Sequence, residues 1–240
     1  MSHTRTSSKA SLLERQSAPA TEAVEDYAKA IYGLAGHEEG PITTSALAER
    51  LDVAPSSVTA MLKRLDELGL VRYAPYHGVT LTASGERVAL EVIRHHRLIE
   101  AFLADALGMP WDRVHDEAEV LEHYISEDLE RRIADKLGNP AQDPHGDPIP
   151  TPDLALADDR TTSLSRLEAG DMATFARVSD SDPEMLRYLA ERGVRPGVRL
   201  RVVEIQPFGG PVFVEVKGTR HALGGELAEK MRVAPAGVRA

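Results

Sequence analysis

The chain has 240 residues, 42% of them apolar and none of them cysteine, which allows one large or two to three small packed domains and excludes disulfides and thiolate metal ligands. Its formal charge of −10 argues against a protein that coats nucleic acid non-specifically, although Arg5, Lys9 and Arg15 against Glu14 alone leave the N-terminal end basic. No apolar run approaches the roughly 18 residues of a membrane span and no signal-peptide core is evident, so a cytoplasmic protein is expected.

Residues 1–21 are rich in Ser, Thr and Ala without an apolar period and read as a disordered tail. Helical spacing begins with Val24, Tyr27, Ala28, Ile31 and Leu34. A second short helix covers about Thr43–Leu51, and a third opens at Pro55, a favoured first helical residue, and ends near Gly69. Between these two helices lies only the turn Asp52-Val53-Ala54. Short β-like segments follow over Val71–Thr82 around the turn Tyr76-His77-Gly78. Helix, helix, tight turn, helix, hairpin is the layout of a winged helix-turn-helix over 22–91.

Residues 84–107 and 112–137 predict two long amphipathic helices separated by Gly108-Met109-Pro110, a helical pair suited to dimerisation over 92–140. Prolines 140, 144, 148, 150 and 152 mark 141–163 as a linker. From 164 to 240 the pattern turns to strands, Met172–Val178, Arg199–Ile205 and Pro211–Lys217, interrupted by a helix over Pro183–Arg192, which predicts a small SH3-like β-barrel. The whole is expected to be mainly α.

The run from His115 to His123 carries the richest chemistry. On one continuous helix, His115, Glu119, Glu122 and His123 fall at i, i+4, i+7 and i+8, within an arc of about 100°. Two imidazoles and two carboxylates on one face suit a divalent cation if another element closes over them, but they equally suit a solvated polar face. His96 and Glu100 share a face of the preceding helix with the same ambiguity, while His95 falls on the apolar stripe and reads as a core histidine. Periodicity places Asp26 opposite the buried face of the first helix, as a solvent-exposed acid.

Several strings together carry a resemblance. They are Tyr27–Tyr32, Pro55-Ser56-Ser57-Val58-Thr59, His95-His96-Arg97-Leu98-Ile99-Glu100, Val114–His123 and Asp143-Pro144-His145-Gly146-Asp147-Pro148-Ile149-Pro150. In type, spacing and order, from about residue 22 to the C-terminus, the chain resembles the diphtheria-toxin-repressor (DtxR) family of metalloregulators. The resemblance implies a homodimeric, metal-dependent repressor that binds double-stranded operator DNA, with an FeoA-like C-terminal domain, no organic cofactor and no membrane association. It implies a primary metal site of Asp26, Glu119, Glu122 and His123. Iron-responding members carry methionine and cysteine at the positions of Asp26 and Glu119; the carboxylates here match the manganese-responsive branch, and oxygen-rich ligation suits Mn²⁺, with Fe²⁺ the competitor. An ancillary site is implied at His96, Glu100 and His115, with Asp180 the candidate from the C-terminal domain and Asp182 next. Lys29 departs from the short manganese-responsive type, which has a carboxylate shared by two ions there; a lysine cannot bridge cations, so a second ion is expected at the ancillary site.

For DNA, the helix from Pro55 would enter the major groove, with Ser56, Ser57 and Thr59 near its start, and Lys63, Arg64 and the wing's Arg72 meeting phosphates. Ser56 could equally be a helix cap. The helix has no Asn or Gln and no Arg near its start, so direct base readout is expected to be modest and DNA shape important. A carboxylate-bridged di-metal enzyme is the rival from another class. Such bundles use Glu-x-x-His, whereas Ile93, Asp112 and Val120 stand three residues before His96, His115 and His123. A metal-independent winged-helix regulator is a third reading, and it predicts DNA binding indifferent to chelator.

Overall fold

A computed structural model describes residues 19–36 and 40–235. The chain divides into two compact units. The first comprises residues 1–95, 122–130 and 150–154, the second residues 96–121, 131–149 and 155–240.

The first unit opens with α1 (Pro19–Ala35), so a helix already covers the last residues of the expected tail; the rest of that tail lies outside the described residues. Helix α2 (Thr44–Arg50) is capped by Thr43, whose Oγ1 accepts from the Ala46 amide at 3.1 Å. The chain then turns through Asp52, with φ +51°, into α3 (Pro55–Glu67). The cap position of α3 belongs to Ala54, which has no capping side chain, and Pro55 takes the first helical place, so Ser56 is not the cap. Strands β1 (Val71–Ala74) and β2 (Gly78–Leu81) pair antiparallel as the wing. Ile31, Ile42, Leu47, Leu62, Leu65 and Val79 are buried together in one core. The wing is tied to this core by reciprocal backbone bonds of 2.9 Å between Ile42 and Val79. Gly78 is needed there: its φ is +87°, and a Cβ would stand 2.7 Å from the Ile42 carbonyl oxygen.

Helix α4 (Ala83–Asp105) starts in the first unit and ends in the second. The long helix expected over 112–137 is instead two, α5 (Val114–Leu121) and α6 (Glu127–Lys136). Ser126 supplies the reason for the restart: its Oγ accepts from the Leu129 amide at 3.3 Å, ahead of a first turn carrying Glu127, Asp128 and Glu130. Glu122 and His123 therefore lie in a turn after α5, not on its face.

In the second unit, Leu98, Ile133, Ala134 and Ile149 form one small core. A larger one gathers Trp111, Phe175, Leu186, Leu189, Val202 and Val214. The C-terminal strands are β3 (Thr162–Ser163), β4 (Met172–Arg177), β5 (Arg199–Ile205), β6 (Val212–Val216), β7 (Thr219–Leu223) and β8 (Arg232–Pro235), with helices α7 (Pro183–Glu191) and α8 (Gly225–Lys230). They form a single antiparallel sheet in the order β3-β8-β4-β5-β6-β7. It is an open sheet among the described residues, not the closed barrel expected. The two-residue β3 pairs only with β8, and β7 pairs only with β6, so both stay edges.

The proline-rich stretch is packed over 143–150 and exposed over most of 151–160. His145 and Asp143 are buried, the His145 carbonyl accepts from the Val178 amide at 3.1 Å, and the Arg177 guanidinium donates to Asp147 at 2.8 Å. No described helix is long and apolar enough to cross a membrane.

Candidate metal centres

In the first unit, α1 presents Asp26 and the turn after α5 presents Glu122 and His123; one ligand atom from each lies within 4.8 Å of the others. His123 Nε2 stands 3.1 Å from Asp26 Oδ1 and 3.6 Å from Glu122 Oε1. Its other nitrogen, Nδ1, is 2.7 Å from Glu25 Oε2. An imidazole that donates through Nδ1 to a carboxylate keeps the Nε2 lone pair for a cation, so Glu25 acts as an orienting partner for His123. Burial pulls the His123 pKa down, but Asp26, Glu25 and Glu122 outweigh it and lift it to about 10. Glu122 is 0% exposed, and both its oxygens face the Lys29 ammonium, at 2.8 and 3.0 Å.

The backbone of that turn is itself held. His95 Nδ1 lies 3.2 Å from the Glu122 carbonyl and its Nε2 lies 3.1 Å from Glu130 Oε2, while Arg94 Nε donates to Glu130 Oε1 at 2.6 Å. Burial raises the Glu130 carboxyl, and His95 and Arg94 more than reverse this, leaving it lowered. The buried histidine read from the apolar stripe thus supports this turn.

In the second unit, His96 and Glu100 on α4, His115 on α5 and Asp180 in the loop after β4 converge. His96 Nε2 is 3.2 Å from both His115 Nδ1 and Glu100 Oε1, and His115 Nδ1 is 3.1 Å from Asp180 Oδ2. Asp182 is occupied otherwise: its Oδ1 caps α7, accepting from the Glu184 and Met185 amides at 3.0 Å. Burial lowers His115, yet Asp180, Glu100 and Glu119 raise it to about 10. Burial raises Glu100, and the facing His115, His145 and His96 outweigh it, holding its carboxyl well below the ordinary range.

These separations fit a shared cation. Donors about 2.1 Å from one centre stand roughly 3.0–3.4 Å from each other in octahedral or tetrahedral arrays. Both Glu100 oxygens are buried without a hydrogen bond among the described residues, even though imidazoles face them. A buried carboxylate left so would be costly unless a cation completes it.

Glu119 lies on α5. It belongs to the second unit, where its Oε1 lies 3.7 Å from His96 Nδ1 and 3.7 Å from His115 Nε2, the nitrogens not used toward Glu100 and Asp180.

Sequence reasoning gave Glu25, Asp143 and His145 no role. Glu100, Asp143 and His145 form a further buried convergence in the second unit. His145 Nε2 is 2.7 Å from the Trp111 carbonyl, a donor arrangement that turns Nδ1 to Glu100 Oε1 at 3.7 Å, and that Nδ1 makes no hydrogen bond among the described residues. The string Asp143-Pro144-His145-Gly146 was the available signal; only burial distinguishes it from an ordinary loop.

In the reading head, Ser56, Ser57, Lys63, Arg64 and Arg72 are exposed. Thr59 is half-buried and its Oγ1 donates back to the Pro55 carbonyl at 3.0 Å.

Comparisons with known proteins agree with this layout. Residues 20–79 match the N-terminal DNA-binding domain of iron-dependent repressors, 82–151 their metal-binding and dimerisation domain, and 162–235 the FeoA domain. The chain is 36% identical over 222 residues to the iron-dependent repressor IdeR of Mycobacterium tuberculosis, covering 87% of this chain and 95% of that one. It is 32% identical over 221 residues to the diphtheria toxin repressor of Corynebacterium efficiens, covering 87% and 94%. Among solved structures, a manganese-dependent transcriptional repressor in complex with manganese superposes with a TM-score of 0.82 at 42% identity, covering 88% of this chain and 99% of that one.

Proposed function

Because the chain belongs to the diphtheria-toxin-repressor family of metal-dependent, DNA-binding transcriptional repressors and is not an enzyme, we propose that it is a Mn²⁺-dependent repressor of manganese-uptake genes, acting as a homodimer in the cytoplasm. The observation that carries this reading is the convergence of Asp26, Glu122 and His123, two oxygens and one imidazole with no sulfur donor among them. Oxygen-rich ligation suits Mn²⁺, which binds weakly and is selected by geometry and availability.

In this reading, residues 22–91 read DNA, 92–140 bind metal and dimerise, 141–163 connect, and 164–240 supply Asp180. A bound divalent ion would supply two positive charges against Asp26 and Glu122 and coordination across α1 and the 122–123 turn. Glu25 orients His123, and His95 holds the turn through the Glu122 carbonyl. Drawing Asp26 to that turn fixes α1, and with it the head that carries α3. In a two-fold dimer this sets the separation of the two α3 helices near one or more DNA turns, about 34 Å apart. The shift needs only a few kcal/mol of preference for the competent geometry. A second cation would be held by His96, Glu100, His115 and Asp180.

Asp26→Ala or His123→Ala is expected to abolish Mn²⁺-dependent retention of operator DNA in a gel-shift assay with the helical circular dichroism unchanged; full retention would remove that residue from sensing. An Fe²⁺-dependent regulator of iron acquisition is the second reading, favoured by the identity to IdeR. Anaerobic titration of operator binding with Mn²⁺ and Fe²⁺ separates the two.

A further inference from the structure

Lys29 carries the wrong charge for a cation site, yet it stands inside one. It follows Asp26 by three residues on α1, so the two side chains share a helix face. Its ammonium addresses both oxygens of Glu122, at 3.0 and 2.8 Å, while one of those oxygens is 3.6 Å from His123 Nε2. Glu122 is fully enclosed and Lys29 retains 17% exposure at its side chain. A carboxylate so enclosed is costly without a counter-charge, and a compact ammonium with three donors supplies one. A divalent ion claiming a Glu122 oxygen has to do so against a positive charge already on it. The partly exposed four-carbon stem gives the ammonium a way to yield toward water.

We propose that Lys29 is a built-in counter-cation that competes with the metal for Glu122 and sets the metal concentration at which the primary site fills. Beyond ruling out a bridging role, its charge holds Glu122 ready without a metal and weakens the site. The effect is a threshold: a repressor that fills too readily would stay shut off from changes in supply. This inference rests on the reading of Asp26, Glu122 and His123 as a metal site.

The test uses the full chain, stripped with chelator, and measures Mn²⁺ stoichiometry and affinity by equilibrium dialysis for wild type, Lys29→Met, Lys29→Arg and His123→Ala. Lys29→Met is expected to bind one of its ions at least tenfold more tightly, while its metal-free melting temperature falls and its stabilisation by Mn²⁺ grows. Lys29→Arg, which keeps the charge, is expected to stay within threefold of wild type. If Lys29→Met does not fold, Lys29→Gln, which keeps a hydrogen bond without the charge, is read the same way. Unchanged or weaker Mn²⁺ binding in a folded, charge-free variant overturns the inference. If His123→Ala loses one ion while the lysine variants do not tighten, only the role of Lys29 falls. If His123→Ala keeps wild-type stoichiometry and affinity, the site itself falls with it.

Discussion

In the proposed reading, protons and metal would compete for the same nitrogens at both centres. His115 and His123 each sit against carboxylates that lift their pKa from 6.5 to about 10, in spite of burial. That range makes both imidazolium at neutral pH, so a cation bound there as proposed would have to displace the proton. The sign follows directly. Metal binding strengthens as pH rises and weakens as it falls, by about tenfold per pH unit for each imidazole that must lose a proton. Without metal the direction reverses: the ion pairs of these raised groups stabilise the fold fully below 6.5 and are lost as pH climbs through about 10. Calorimetry of Mn²⁺ binding in buffers of different ionisation heat is expected to report net proton release near pH 7, and no release would mean that these imidazoles are already neutral. The same residues show how far reading one position goes. His96, Glu100 and His115 were legible as candidates from i, i+4 spacing and family pattern, whereas Glu25 and His145 were not, because an orienting carboxylate or an inward-turned Nδ1 has no local signature.

At the scale of elements, the turn between α5 and α6 and the loop 143–147 do the placing. The continuous apolar period through 112–137 suggested one helix, and nothing in local propensity marks the end at Leu121. The break is what lets one short stretch serve two units, with His115 in the second and His123 in the first. The loop is locked by Gly146, whose φ is +91° and where a Cβ would stand 1.9 Å from the Ala176 carbonyl oxygen. Gly146→Ala must strain the backbone and push the loop off β4, so a loss of about 1–3 kcal/mol or more is expected. Urea unfolding followed by circular dichroism checks this, and a wild-type midpoint would show that the loop relaxes without cost. By contrast α2 and α3 were legible to within a few residues, since each has its own apolar period and its own start signal, Thr43 or Pro55.

For the molecule as a whole, the second centre is where distant parts of the sequence meet. Asp180 comes from the loop after β4, and His96, Glu100 and His115 come from helices that precede it by at least 65 residues. A ligand that binds only the folded state stabilises it by about 2.7 kcal/mol at a hundredfold over its dissociation constant. Asp180→Ala is thus expected to reduce the rise in melting temperature on adding Mn²⁺ and to lower the bound stoichiometry by one. An undiminished thermal shift would remove the C-terminal sheet from metal binding. The three matched domains account for most of the chain, and the order helix-turn-helix, helical domain, FeoA domain is the order in which the sequence patterns change.

The chain's own residues determined the helical periods, the turn and wing of the helix-turn-helix, the absence of thiolate ligands and the acid and histidine pairs that resemble metal sites, because these are short-range properties of spacing and composition. Tertiary packing alone decided that Lys29 stands on Glu122, that His145 turns inward and that the C-terminal sheet stays open. Each of those depends on which groups are brought together from far apart in sequence and sealed from water, and burial of charge, which governs them, has no counterpart in an extended chain.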